Sequence, residues 1–471
     1  MKRRRLTPPL PGPTSWWLEE ARRHRDDEAA PPLTGPLEVD VAVVGGGYTG
    51  LWTALALRER EPDARVALLE ARRVGDGPSG RNGGFLHGYW SSLPTLRAAL
   101  GDADALEVAR ASSRIVPAVR SFLEQRGEDV WLRAGGLLKV AGTEAEEAAV
   151  QRSLEAARQL GVEEEAVALT RDEVRRRIDS PRFRRGVFFR DGAIVQPARL
   201  VLALKRAALA AGVRLFEHSP VTAIAPGALE TPEGLVRTRE IVVALNAWGT
   251  SWPLSGRQTN FASAVVLTEP VPELLDQVGW TGNEAVIDGR MFLHYFRPTP
   301  DGRVLMGSGS GRLAPGGRVG PGLLDDRPAQ ARAHAGLRAL LPALADARIE
   351  ARWSGPIDVS ADRLPRFGTV PDTRIHYGAG YSGNGVGPSW LGGQILASLA
   401  LGVEDEWSTL PLATRRGRRL PPEPFRYVGG RFVRWGTLAV EDALAHGRRP
   451  SRAARAAAAI PRLLRLPIGT R

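Results

Sequence analysis

The chain has 471 residues, 43% hydrophobic and 25% charged, a globular balance too long for one ordinary core. It contains no cysteine, which excludes disulfides, thiolate metal sites, a cysteine nucleophile and any cofactor tethered through sulfur. Of the net charge of +12, a surplus of eleven lies in residues 411–471, so the remaining 410 residues are nearly neutral and no nucleic-acid partner is expected.

Residues 1–36 are basic and proline-rich, and no apolar stretch follows the first charges, so no secretory signal is expected. No apolar run is long enough to span a bilayer, and a cytoplasmic location is the expectation. Trp16 and Trp17 make this segment an arm laid over the body, because exposed tryptophans are costly. Residues 38–71 then read strand, turn, helix, strand, with VDVAVVGGGYTG at 39–50 and RVALLE ending at Glu70. Gly45-x-Gly47-x-x-Gly50 followed by an acid twenty residues on is a dinucleotide-binding pattern. Gly45 permits the tight turn, Gly47 lets backbone approach a pyrophosphate, and Gly50 lets helix and strand pack closely. The helix opens at Tyr48 and Thr49 with its positive end toward the phosphates, and Glu70 is placed for ribose hydroxyls.

Next comes GDGPSGRNGG at 75–84, too polar for a core. Residues 92–128 suit helices, 131–141 a strand pair, and 144–160 an amphipathic helix. A helix is predicted over 198–211, between Pro197 and Gly212. Strands are predicted within 212–224 and 239–248, and the stretch 258–310 is β-rich. Residues 374–402 repeat the strand, glycine turn and helix theme. Past 411 the chain is rich in arginine and proline and predicts short apolar helices at best. The candidate at 432–447 and the basic stretch 448–465 could rest on an anionic membrane surface, although such a tail more often packs over its own domain or a partner subunit. There is no phosphate loop, no HExxH and no GxSxG, and no metal site is expected.

Glycine-rich turns thus recur at 45–50, 77–84 and 378–387. A nicotinamide enzyme needs only the first, whereas an FAD lying extended through a domain needs backbone amides at several points. The segments SWWLEEA (15–21), VVGGGYTGL (43–51), GDGPSGRNGG (75–84), ALNAW (244–248), FRPTPDGRVLMG (296–307) and GYSGNGV (380–386) carry a specific likeness. From about residue 15 to 405 the chain resembles the D-amino-acid oxidase, glycine oxidase and sarcosine oxidase superfamily of FAD-dependent amine oxidoreductases, and most of all its γ-glutamylputrescine oxidase-like branch.

The resemblance implies an α/β fold. A Rossmann-like FAD-binding domain would be assembled from 37–100, 186–255 and 350–410. A mixed, largely antiparallel sheet from 101–185 and 256–349 would form the substrate domain, with an arm at 1–36 and a tail at 411–471. It assigns Gly45, Gly47 and Gly50 to the FAD pyrophosphate, Glu70 to ribose and Val221 to the adenine edge. Ser79, Gly80, Arg81, Asn82 and Gly83 would wrap the pyrophosphate and approach the flavin ring. Gly380, Ser382, Gly383, Asn384, Gly385 and Val386 would lie at its pyrimidine end.

The implied reaction is hydride transfer from the carbon beside an amine nitrogen to flavin N5, giving an imine that water hydrolyses. The substrate is then a small amine or amino acid, and O2 or another acceptor takes the electrons. Strand alternation puts His294 and Phe296 on one face and Tyr295 and Arg297 on the other. Tyr295 or His294 would border the substrate, and Arg297 is a candidate for a substrate carboxylate. His87 is a candidate for covalent attachment, although noncovalent FAD is expected. Several relatives use a lysine near the flavin to activate oxygen. Here Lys139 and Lys205 are the only interior candidates, and Lys205 is expected at the surface. A dehydrogenase passing electrons to a carrier or quinone, an RNA-associated flavoprotein and a flavin-binding protein without turnover remain alternative readings.

Overall fold

The protein is described by a computed structural model covering residues 3–9, 12–253, 255–415 and 417–463. Part of the expected arm (1, 2, 10 and 11) and the end of the tail (464–471) lie outside these residues. The arm forms helix α1 (Trp16–His24), capped by Ser15, whose Oγ accepts the Leu18 N–H. The expected strand–turn–helix–strand follows as β1 (Gly35–Val44), α2 (Tyr48–Arg60) and β2 (Val66–Leu69). Three helices fill 93–100, 102–112 and 115–124. Only one strand, β3 (Leu137–Val140), forms where a pair was predicted, and Arg133 makes an isolated bridge to Ile194 instead.

Then come α3 (Glu144–Gln159), β4 (Gly186–Phe189), α4 (Pro197–Ala210), β5 (Arg214–Phe216) and β6 (Gly234–Val243). The β-rich stretch supplies β7 (Gln258–Thr268), β8 (Ala285–Asp288), β9 (His294–Pro298) and β10 (Val304–Ser308). After β11 (Ile349–Ser360) and β12 (Ile375–Ala379), helix α5 (Pro388–Leu401) ends the last glycine-turn unit. The tail is not made of short pieces. It folds as a hairpin of a 21-residue helix, α6 (Phe425–Ala445), and α7 (Arg452–Leu463).

The first sheet has an all-parallel core in the order β5-β2-β1-β6-β12. The C-terminal half of β1, AVV, is buried on both faces, as a parallel strand covered by helices must be. Helix α2 packs against both α4 and α5 on one side of this sheet. The second sheet runs β11-β7-β10-β9-β8-β3-β4 with an edge strand at 167–169, and it is antiparallel except for the β8–β3 pair. Two expected boundaries shift accordingly. Strand β4, which begins at 186, and nearly all of β11, which begins at 349, pair in the second sheet rather than the first.

Trp17 is fully buried, edge-on to Trp16 and to Trp353 of β11. Lys205 is not at the surface. Its Nζ is buried between Asp27 (2.9 Å) and Glu217 (3.1 Å) and pins the arm to α4. Among the described residues no helix is long and apolar enough to cross a membrane.

Candidate functional site

The parallel sheet ends in a cleft. Gly45 leaves β1 at φ +109°, and a Cβ there would meet the Ala244 carbonyl oxygen at 2.5 Å. A Cβ on Gly50 would lie 2.0 Å from the Gly45 carbonyl oxygen, so only glycine brings α2 this close to the strand end. Gly47 caps α2, and the first helical N–H, of Tyr48, donates to Ser79 Oγ at 3.0 Å. Glu70 ends β2 with its carboxylate accepting the Gly46 N–H (2.8 Å) and the Arg72 N–H (2.9 Å), while burial pushes its pKa upward. Val221, Leu245 and Trp248 complete a cleft of about 200 Å³, into which Tyr48, Thr49 and Glu70 also face.

The loop 77–84 is held by hydrogen bonds within itself and from outside. Asn82 Nδ2 donates to the Pro78 and Ser79 carbonyls, and its Oδ1 accepts the Gly84 N–H at 2.8 Å. From outside, Ser15 Oγ donates to the Gly80 carbonyl, Trp17 Nε1 to that of Asn82 (3.0 Å) and Trp353 Nε1 to that of Arg81 (2.8 Å). At 380–386, Gly380, Ser382 and Gly383 all have positive φ. The buried Asp358 at the end of β11 holds this turn: its carboxylate accepts the Gly380 N–H and its carbonyl the Ser382 N–H. Burial pushes Asp358 up to about 6. Thr49 and Tyr381 hydroxyls lie 2.8 Å apart, tying α2 to the same turn.

Pro78, Arg81, Asn82, Gly383 and Val386 border both this cleft and a second cavity of about 320 Å³ beneath the second sheet. The two spaces therefore adjoin through these shared residues. The glycine backbone at the sheet end and the two turns beside the cavities are of the kind an extended dinucleotide requires.

Of the residues expected on the substrate side, Tyr295 borders the second cavity. Its hydroxyl is 2.8 Å from Ser263 Oγ, its ring is edge-on to Phe85, and burial pushes the phenol up to about 12. His294 does not border the cavity. Its ring packs on Gly336 of the helix Arg327–Leu340, and its Nδ1 pairs with Asp288 at 2.8 Å. Arg297 shares the Tyr295 face, as alternation requires, but it is fully buried beneath the loop. Its guanidinium donates to the carbonyls of Gly83 (2.6 Å), Val195 (2.8 Å) and Pro298 (3.1 Å), which removes it as a carboxylate ligand. Burial lowers its pKa to about 9.

His87 borders the cavity with Nδ1 engaged by the Gly88 carbonyl at 2.9 Å. Lys139 also lines it, donating to Ser153 Oγ at 3.0 Å.

Two features escaped the sequence. Arg363 lines the cavity at φ +62°, with its Nε buried and without a hydrogen-bond partner among the described residues, and burial lowers its pKa to about 10. Helix α6 forms a wall of the cavity through Gly429, Gly430, Val433 and Arg434. An arginine after an aspartate carries no local signal of a site. The wall belongs to a helix whose Gly429, Gly430 and Gly436 weaken its reading from sequence.

The comparisons with known proteins agree with this geometry. The chain is 30% identical over 410 residues to the γ-glutamylputrescine oxidoreductase of Escherichia coli K12, covering 85% of this chain and 93% of that one. Glycine oxidase of Bacillus subtilis is 24% identical, covering 78% and 95%. The crystal structure of glycine oxidase from Geobacillus kaustophilus superposes with a TM-score of 0.66 at 26% identity, over 81% of this chain and 100% of that one. The model of the DAO family, FAD dependent oxidoreductase, matches residues 40–399, and the chain belongs to that family, an enzyme whose cofactor is FAD.

Proposed function

We propose that the chain oxidises the C–N bond of a small amine bearing a carboxylate at its far end, as γ-glutamylputrescine does, with noncovalently held FAD. The observation that carries this reading is the second cavity. It joins an apolar wall of Phe85, Phe261, Ile287 and Tyr295 to the partly buried cation Arg363 with its unfilled Nε. The similarity to the Escherichia coli enzyme supports the same substrate class.

In this reading Gly45, Gly47, Tyr48, Thr49 and Gly50 hold the FAD pyrophosphate, Glu70 the ribose, and Val221 the adenine. Ser79, Gly80, Arg81, Asn82 and Gly83 cover the phosphates and reach the ring, whose pyrimidine end rests on Gly380 and Ser382–Val386. Bound there, FAD supplies the acceptor for a hydride from the carbon beside the amine nitrogen. The protein sets the amine's protonation. Arg81, Lys139, Arg363 and Arg426 outnumber Asp288 around the cavity, and this positive potential favours the neutral amine, the only form that releases hydride. Tyr295, fixed by Ser263 and kept neutral by burial, orients the reacting end. Arg363 anchors the carboxylate by a charge-assisted hydrogen bond. O2 or another carrier then takes the electrons.

Anaerobic addition of γ-glutamylputrescine, putrescine, sarcosine, glycine and D-amino acids to the holoenzyme tests this. γ-Glutamylputrescine should bleach the flavin band fastest, and recovery on admitting air would identify oxygen as acceptor. Bleaching by none overturns the amine reading. Equal bleaching by putrescine overturns the carboxylate anchor.

A further inference from the structure

Helix α6 has two apolar faces. One walls the cavity through Gly429, Gly430 and Val433. On the other, Phe425, Val428, Phe432 and Trp435 follow one another at helical spacing and remain 72, 62, 48 and 47% exposed. The Phe432 and Trp435 rings stack with centroids 5.5 Å apart. Phe425 also borders the cavity, so this stripe begins at the cavity rim. Four large apolar side chains in line on one exposed face are a patch that a freely dissolved surface rarely keeps.

The neighbouring helix exposes arginines. α7 buries Ala454, Ala457 and Pro461, with Ala457 meeting Gly436 of α6, and it turns Arg452, Arg455 and Arg462 outward at the same helical spacing. Arg431 on α6 and Arg448 and Arg449 in the turn are exposed as well. The whole hairpin lies beyond residues 40–399 that match the family model.

We propose that this hairpin docks the enzyme in plane on an anionic phospholipid surface, its aromatic stripe in the interface and its arginines against the headgroups. Charge complementarity selects this occupant over a second copy of the chain. A symmetric pairing through α6 would bring together two tails that each carry fourteen arginines against three acids. Among the described residues neither helix is long and apolar enough to span a membrane, so the contact proposed is interfacial. The docking does not depend on which amine the flavin oxidises.

Co-sedimentation of the FAD-loaded enzyme with phosphatidylcholine vesicles, with and without phosphatidylglycerol, tests the proposal. The wild type should bind the anionic vesicles at least about tenfold more tightly than the neutral ones, and added salt should weaken that binding. The Phe432→Ser/Trp435→Ser variant should lose about tenfold or more in affinity with flavin content and turnover of soluble amine unchanged. If that variant folds poorly, Arg452→Gln/Arg455→Gln, which removes only exposed charge, should give about the same loss. Absence of wild-type binding to anionic vesicles, or equal binding to neutral ones, overturns the proposal. So does a concentration-dependent dimer that Phe432→Ser/Trp435→Ser converts to monomer, since the stripe would then be covered by a second copy.

Discussion

Arg363 holds a backbone conformation that costs a non-glycine residue about 1 kcal/mol or more, and its partly buried guanidinium keeps a buried Nε donor unfilled. Both penalties are repaid if an anion binds there. Arg363→Gln should therefore raise KM for a carboxylate-bearing amine about 10- to 100-fold, the worth of a hydrogen bond to a charged group, and change kcat by no more than a few-fold. KM for an uncharged analogue should not move, and thermal unfolding of the free enzyme should not fall. An equal KM rise for both amines would show a packing role instead. Gly50 answers to a different constraint. A Cβ 2.0 Å from a backbone oxygen cannot be accommodated by a side-chain shift, so Gly50→Ala should yield protein that purifies without flavin absorbance. The glycines were legible in the sequence because their role is a property of backbone geometry. Arg363 and Asp358 were not, because their role comes from burial beside chain segments distant in sequence. Arg297 shows the same limit. Alternation assigned its face, but nothing local revealed that the carbonyls of Gly83 and Val195 lie across from it.

Helix α1 is a clamp on the loop 77–84. Trp17 is wholly buried against Trp353, stacks its ring near the Arg297 guanidinium at 5.0 Å, and donates to the Asn82 carbonyl. Trp17→Ala should cost about 3–5 kcal/mol and release flavin at a lower temperature than the wild type. Unchanged melting and flavin retention would show that the loop holds itself. The parallel strands were readable as elements because a strand buried on both faces is a continuous apolar run between turn signals. Pairing was less readable. Neither the four-residue β4 nor the twelve-residue β11 shows which sheet it joins until its partner, β3 or β7, is known. The tail helix was under-read for a physical reason. Gly429, Gly430 and Gly436 lower helix propensity, yet in the fold two of them are contact points, with added Cβ atoms at Gly430 and Gly436 falling 2.5 Å from Leu313 and Ala457.

The molecule closes over its cavity through one more contact, between α6 and the loop joining β8 to β9. The Glu441 carboxylate accepts the Met291 N–H at 2.8 Å and the Phe292 N–H at 3.4 Å, and both residues line the cavity. Facing it are Asp288, which raises its pKa, and Arg290, which lowers it. Glu146 and His294 complete the cluster through their own contacts with Arg290 and Asp288. Burial dominates and pushes Glu441 up from 4.5 to about 7. Below 4.5 the carboxyl is protonated whether the hairpin is docked or released, and docking has its full strength. As pH rises from 4.5 toward 7, the released hairpin gives up its proton while the docked one keeps it, so docking weakens by about 1.4 kcal/mol per pH unit. Above 7 both forms are ionised and the loss stops. Hydrogen exchange of α6, corrected for its intrinsic pH dependence, should therefore report opening that becomes easier from about pH 5 to 7 and then levels. Glu441→Gln stays neutral throughout, so its α6 should show the same protection across that range. A wild-type profile as flat as that of Glu441→Gln would mean that the carboxylate ionises in place, and that the roof of the cavity is held by Gly430, Val433 and Arg434 alone.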